Sequence, residues 1–436
     1  MKQIIAFLIF IILASCKSED SLEKKVLQGN AFGTTYTIQY FTNSSFDAQK
    51  QIDSVLYRVN KSMSTYIYQS DISKINRGDS TIVVDALFKD VWQISEIVHK
   101  NSLGYFDPTV GSLRNLYGFG DTPYHETINA KVLDSVSALV GFNKASIKKN
   151  GTVHKDNPNI YLDFNAVAKG YGIDCLGTML SSNNITDYII ELGGEVLAKG
   201  INISKNRPWT SAVEAIVSQV DNRKAVVYFT LQDRGLAGSG NYRKYRIDDS
   251  TGKKYVHTIN PLTGLAEQNN VTSATIIAPT CALADAYATA CMAMGFEKAK
   301  AMLETLKDVD GYVTYVDANQ DPKSYSTKGF EDLILKENED GELILEPVIH
   351  QAKVFEKIYL DLQEDEMQFG NENFKTIYYL IIDYLNQNET FSVENFMHEI
   401  DPNLAPFVSD ILMNDERYRL HNWEKNNIFP KRKDIS

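Results

Sequence analysis

The run Val271-Thr272-Ser273-Ala274-Thr275-Ile276-Ile277-Ala278-Pro279 reads as a buried strand, and it leads into a small-residue helix over residues 283–294. A buried strand needs cover, which a chain supplies by layering helices on a sheet. The rest of the sequence offers both. Alternation over residues 35–40 predicts a strand, and Ile52, Val55, Leu56 and Val59 put one apolar face on a helix over residues 46–62. Further helices are expected over residues 87–101 and 129–141, after Asp163, and over residues 296–306. Strands are expected at 159–162, 188–191, 225–231 and 310–316, with a last short element near 328–330. The pattern is α+β and contains no repeat.

The same strand and helix place Asp285 in a first helical turn, with Thr289 four residues on and on the same face. A carboxylate and a hydroxyl so placed suit a hard cation such as Mg²⁺, whose shell phosphate oxygens would complete. An aspartate near a helix start equally reads as a cap or dipole partner. His257 precedes the Asn260-Pro261 turn, where a neutral imidazole could accept a hydroxyl proton near pH 7 or simply be structural. Lys169 could meet a diphosphate as a point charge, or be a solvated lysine.

Glycine-rich stations recur at Gly33-Thr34-Thr35, Gly104 to Gly111, Gly170-Tyr171-Gly172, Gly193-Gly194 and Gly238-Ser239-Gly240. None fits the dinucleotide Gly-x-Gly-x-x-Gly or the phosphate-loop pattern, so those two nucleotide folds are disfavoured. Singly, each station also reads as an ordinary turn.

At the N-terminus Lys2 precedes an apolar run that closes on Leu13-Ala14-Ser15-Cys16. A run this short, with a small-residue cleavage site, reads as an export signal rather than a spanning helix. Its ending resembles a bacterial lipobox, which implies a lipidated Cys16 and a polar tether after it. The other cysteines, Cys175, Cys281 and Cys291, have no Cys-x-x-Cys spacing, so neither a zinc site nor a disulfide framework is indicated. With 44 basic against 56 acidic residues and a net charge of −12, no nucleic-acid surface is expected.

Taken in order, Gly33-Thr34-Thr35-Tyr36, Met63-Ser64-Thr65-Tyr66, Ser70-Asp71-Ile72-Ser73-Lys74-Ile75-Asn76, the Gly104 to Gly111 block and Leu162-Asp163-Phe164-Asn165-Ala166 resemble the FAD:protein FMN transferase (ApbE) family. So do Glu191 to Glu195, Ser239 to Arg243, His257 to Gly264 and Ala284 to Thr289, and the resemblance covers about residues 27–333. It implies a single α+β transferase domain with FAD in a cleft and Mg²⁺ on its diphosphate. It also implies that Phe32, Tyr66, Tyr105, Phe106, Asp107, Asp163, Lys169, His257 and Thr263 line the FAD site. The metal would be held by Asp285, Thr289 and the main-chain carbonyl of Ala166, and His257 and Asp285 would be catalytic. Two departures are Phe32, where the family commonly has methionine, and Ala237-Gly238, where Ala-Thr is usual.

The reaction implied is transfer of FMN from FAD to a threonine or serine of an acceptor flavoprotein, with release of AMP. In the family the acceptors are subunits of membrane electron-transfer complexes. A Mg²⁺-dependent FAD hydrolase and a non-catalytic flavin-binding lipoprotein are the alternatives. The expected organisation is a signal peptide at 1–16, a tether at 17–26, the transferase domain at 27–335, an acidic linker at 336–346 and a helical extension at 347–436. Short segments of that extension, such as His398-Glu399-Ile400-Asp401-Pro402, resemble part of the C-terminal helical region of bacterial DNA primases. That region binds a helicase in the cytosol, which conflicts with export, so the extension reads as a fused fragment or as a generic helical appendage.

Overall fold

The computed structural model describes residues 22–121, 128–214, 225–240, 245–247, 252 and 254–335, and beyond these only 376–377, 380–381, 395–397, 400–401 and 404–409. Cys16 with the whole signal segment, tether residues 17–21, the acidic linker and most of the extension lie outside the described residues, and the tether expected to run to residue 26 gives way earlier to a strand that opens at Glu23. The chain divides into two compact units, Met1–His350 and Gln351–Ser436. In the second, Ile377, Phe396, Ile400 and Val408 bury one another, with Leu380, Met397 and Leu404 packed around them.

In chain order the described strands are β1 (Glu23–Ala31), β2 (Thr34–Thr42), β3 (Ala145–Ile147), β4 (Val153–Lys155), β5 (Tyr188–Leu192), β6 (Glu195–Lys199), β7 (Trp209–Glu214), β8 (Ala225–Leu231), β9 (Arg234–Gly240), β10 (Tyr245–Ile247), β11 (Lys254–Val256), β12 (Val271–Ala278), β13 (Asp310–Val316) and β14 (Pro322–Ser326). The helices are α1 (Ala48–Met63), α2 (Asp71–Asn76), α3 (Ala86–Asn101), α4 (Gly111–Leu116), α5 (Ala130–Ser137), α6 (Asn165–Ser182), α7 (Cys281–Met294), α8 (Phe296–Thr305) and α9 (Lys328–Glu331). Among the described residues one eight-stranded sheet runs β1-β2-β5-β6-β9-β12-β13-β14, and every neighbouring pair in it is antiparallel. The α+β class read from the sequence is the class of the structure.

Alternation along the strands decides what each sheet face covers. Ile38, Ile190, Leu192, Ala274 and Ile276 point into the main core, against Val167, Leu176 and Leu180 of α6, Ile52 and Val59 of α1, and the small residues of α7. Phe41, Val196, Leu236 and Ile277 point to the opposite face, where Trp209, Phe229, Leu231 and Phe330 close over them from the β7–β8 ribbon and α9. A third, smaller cluster joins Leu113, Leu116, Tyr117 and Val140 to Tyr255, Ile259 and Ala266. It anchors the loop that begins at His257.

Two local expectations are corrected. Residues 159–162 make no strand, only an isolated bridge from Tyr161 to Val110. The reason is local satisfaction: the Asn76 side-chain amide donates to Leu162 O at 2.8 Å and accepts from Leu162 N at 2.8 Å, taking the place of a ladder partner. The helix expected to reach residue 141 ends at Ser137, because Gly141 takes a φ of 143° that starts a new turn. The strand expected at 225–231 is present as β8 and pairs with β7 in a ribbon separate from the large sheet.

Candidate active site

Helix α7 is capped by Thr280, whose side chain accepts from Leu283 N, so the helix opens at Cys281. Asp285 therefore stands in the second turn, and the expectation of a first-turn position is corrected. It is not a cap. Its carboxylate is buried and its Oδ2 accepts the Gly170 N–H of α6 at 3.1 Å. The two helices can come this close because residue 170 is glycine: a Cβ there would lie 2.4 Å from Cys281 O. Asp174, one turn further along α6, accepts the Cys281 and Ala282 amides at 2.8 and 2.9 Å. It acts as a cap for α7 supplied from another helix.

Opposite this helix pair runs the rim of the sheet. Phe32 and Gly33, with φ 51° and 78°, make the two-residue turn between β1 and β2, where positive φ at both positions matches the twist of the hairpin. The Phe32 ring lies on Gly172, where an added Cβ would sit 2.4 Å from its Cε2. Gly193 and Gly194 turn the chain between β5 and β6, and Gly193 abuts Thr34. Glu195, first residue of β6, is 4% exposed, and its Oε2 lies 2.7 Å from Lys169 Nζ of α6. The rim and the helices thus bring Phe32, Glu195, Lys169 and Asp285 to one place.

The electrostatics follow from burial. Desolvation and the charge of Glu195 push the Asp285 carboxyl up to about 7, against the pull of Lys169 and the Gly170 amide. Burial raises Glu195 also, while Lys169 lowers it. The Cys281 thiol is driven well above its ordinary value by burial, so no thiolate nucleophile stands here at neutral pH.

Other residues read from the sequence lie elsewhere in the fold. Phe106 is in the main core, and Asp107 ties down its loop by accepting from Thr109 N, Thr109 Oγ1 and Phe142 N at 2.8, 2.6 and 2.9 Å. Asp163 pairs with Arg114 and accepts the Asn165 amide at 2.7 Å, fixing the start of α6 beside Ala166. Tyr66 is 54% exposed, with Asn165 Nδ2 3.5 Å from its hydroxyl. Tyr105 and Thr263 line a cavity of about 270 Å³ with Thr258, Asn260, Met292, Met294 and Lys298. His257 begins the loop that forms one wall of it. Gly264, at φ 71°, presses this loop onto Ser137 of α5. Asp285 and Met294 stand nine residues apart on α7, roughly 13 Å along its axis, so one helix serves both the acidic cluster and the cavity.

Sequence reasoning missed Glu195, Asp174 and Arg114 as organising residues. Glu195 carried a signal in its Gly-Gly-Glu turn, whereas Arg114 and Asp174 carried none, because their partners lie 49 and 107 residues away.

Asp174 yields a stability prediction. Burial raises its carboxyl to about 7, so the folded state holds a proton that the unfolded chain gives up near 3.8. Stability from this group is therefore full below about pH 4 and is lost as pH rises toward 7. Asp174→Ala leaves two amides without their acceptor and is expected to cost about 1–3 kcal/mol at pH 5. Thermal unfolding between pH 5 and 8 should show that deficit narrowing as pH rises.

Solved structures of flavin transferases share this architecture. The Vibrio cholerae flavin transferase ApbE is similar with a TM-score of 0.63 and 31% identity, covering 72% of this chain and 99% of that one. The apo form of the Pseudomonas stutzeri flavinyl transferase ApbE gives 0.63 and 27%, over 72% and 98%. Fold and site define an enzyme of the flavin-transferase class. The curated FAD:protein FMN transferase of Vibrio cholerae serotype O1 is 34% identical over 339 residues, 73% of this chain and 98% of that one, and that of Haemophilus influenzae is 33% identical over 313 residues, 69% and 89%. The ApbE family profile matches residues 32–313, and the chain belongs to the ApbE family. Residues 327–436 match a domain of unknown function, DUF8430, which assigns that stretch no activity.

Proposed function

We propose that this chain transfers FMN from FAD to a threonine or serine hydroxyl of an acceptor flavoprotein, releasing AMP. The observation that carries this reading is the buried Asp285 carboxylate beside the Lys169–Glu195 pair, on an ApbE-family fold. A hard cation fits the donor set. Among the described residues no three His, Cys, Asp or Glu side chains form a cage, but Mg²⁺ keeps its waters and takes one or two carboxylates plus substrate phosphates. A carboxyl that burial holds near pH 7 gains most from a bound cation.

In this reading Asp285, Thr289 and the Ala166 carbonyl hold Mg²⁺, and its chemistry when bound is to neutralise charge on the diphosphate. Phe32 and Tyr66 border the nucleotide, Lys169 lies beside its phosphates, and Tyr105 and Thr263 shape the cavity at the far end of α7. Phe106, Asp107 and Asp163 act by fixing the loops and the helix start around it. His257 accepts the proton of the acceptor hydroxyl as that oxygen bonds to the FMN phosphorus. The anhydride bond breaks in the same step, and its electron pair leaves with AMP.

The test is to incubate the purified chain with FAD, Mg²⁺ and a candidate acceptor domain and to weigh the acceptor by mass spectrometry. An FMN adduct is expected, and His257→Ala should slow its formation by about a hundredfold. Free FMN and AMP without adduct would replace transfer by hydrolysis, and intact FAD with every acceptor tried would remove the enzymatic reading.

The chain is further proposed to be exported and lipid-anchored through Cys16, with the transferase domain at 27–335 separated by an acidic linker from an appended unit. Cys16→Ser is expected to move the protein from the membrane to the soluble fraction; a membrane fraction unchanged by the substitution would refute the anchor.

A further inference from the structure

We propose that Glu195 is a positioning residue that neutralises Lys169 and thereby makes binding of the nucleotide diphosphate conditional on the divalent cation at Asp285. The inference rests on the functional reading above and concerns an acid that reading leaves without a role. Glu195 is enclosed where β6 leaves the Gly193-Gly194 turn, and its carboxylate lies 2.7 Å from the Lys169 ammonium. Lys169 is the neighbour of Gly170, whose amide holds Asp285. Two buried carboxylates and one ammonium therefore share a cleft.

The charges decide the consequence. With both acids ionised and no cation, the cluster carries one net negative charge, and the lysine that would attract a diphosphate is already neutralised by its partner. A divalent cation at Asp285 reverses the sign. Buried charges are screened far less than surface ones, so the reversal is felt strongly by an incoming phosphate. Cation and diphosphate then promote each other's binding, by the same factor in both directions. Lysine alone would instead admit FAD without the metal and leave it bound in an unreactive state. Glu195 removes that option.

The test measures FAD affinity of the full chain in detergent by flavin fluorescence, with Mg²⁺ or with EDTA and no acceptor present. The wild-type protein should bind FAD at least about tenfold more tightly with Mg²⁺. Glu195→Gln should tighten binding in EDTA by about tenfold and change it by less than about threefold with Mg²⁺, so the dependence on the cation collapses. Glu195→Asp keeps the charge and should keep the wild-type dependence. A role only in holding the fold would weaken FAD binding of Glu195→Gln equally in both conditions, and that result overturns the proposal. Equal wild-type affinity with and without Mg²⁺ overturns it without any variant. A wild-type chain that binds no FAD even with Mg²⁺ sinks the functional reading first and this inference with it.

Discussion

Asp285→Asn is expected to abolish FMN transfer, lowering the rate by about three orders of magnitude or more, while the protein stays folded. Asparagine keeps the shape of the side chain and an oxygen that can accept the Gly170 amide, so the contact between α6 and α7 survives. What goes is the negative charge. In water one carboxylate is a weak attraction for a divalent cation, but this one is enclosed, beside Glu195 and Lys169, where few competing dipoles reach it. The measurement is a single-turnover assay of acceptor mass and AMP release, with circular dichroism to show the fold. Transfer within tenfold of wild type at saturating Mg²⁺ would mean that the cation is held elsewhere.

Why Asp285 could be found from the sequence, and Glu195 could not be placed, comes down to distance along the chain. Asp285 and Thr289 are four residues apart on one helix, and helical periodicity alone puts them on one face. Lys169 and Glu195 meet across a helix–sheet contact that no local pattern encodes. The turns told more than their neighbours, since Gly193-Gly194 already read as a turn, and both glycines take positive φ. Side-chain direction stayed hidden: Phe106 and Asp107 sit in a motif that reads as ligand-binding, yet one faces the core and the other secures the backbone at residues 109 and 142.

The strands were legible where one face is buried. β12 and β13 are flanked by strands on both sides and show it in their composition, whereas β1 is an edge strand whose Glu23, Lys24, Lys25 and Gln28 face solvent. Charged edges discourage pairing with other chains, and the same charges hide the strand from a reading based on apolar alternation. The segment at 159–162 fails for the opposite reason. Its apolar residues are buried, but Asn76 satisfies its backbone from 86 residues away.

Gly170→Ala is expected to destabilise the protein by a net amount of about 1–3 kcal/mol, and Gly170→Val to leave little folded protein. In an isolated helix, alanine would be preferred over glycine by about 1 kcal/mol. Here that preference is outweighed, because the added Cβ would lie 2.4 Å from Cys281 O, 2.7 Å from its carbonyl carbon and 2.9 Å from Ala282 Cα. All three are backbone atoms, so no rotamer change relieves the contact, and the helices must separate. Separation withdraws the Gly170 amide from Asp285 and the Asp174 carboxylate from the start of α7, so the loss spreads from packing into the acidic cluster. Gly238→Ala is the control: it lies inside β9, and a Cβ there would meet nothing within 4 Å, so its stability should stay within about 0.5 kcal/mol of wild type. Urea unfolding of the three variants decides it. If Gly170→Ala unfolds with the wild-type midpoint, the two helices are not pressed together at this point, and the glycine is there for the conformational reach of the chain alone.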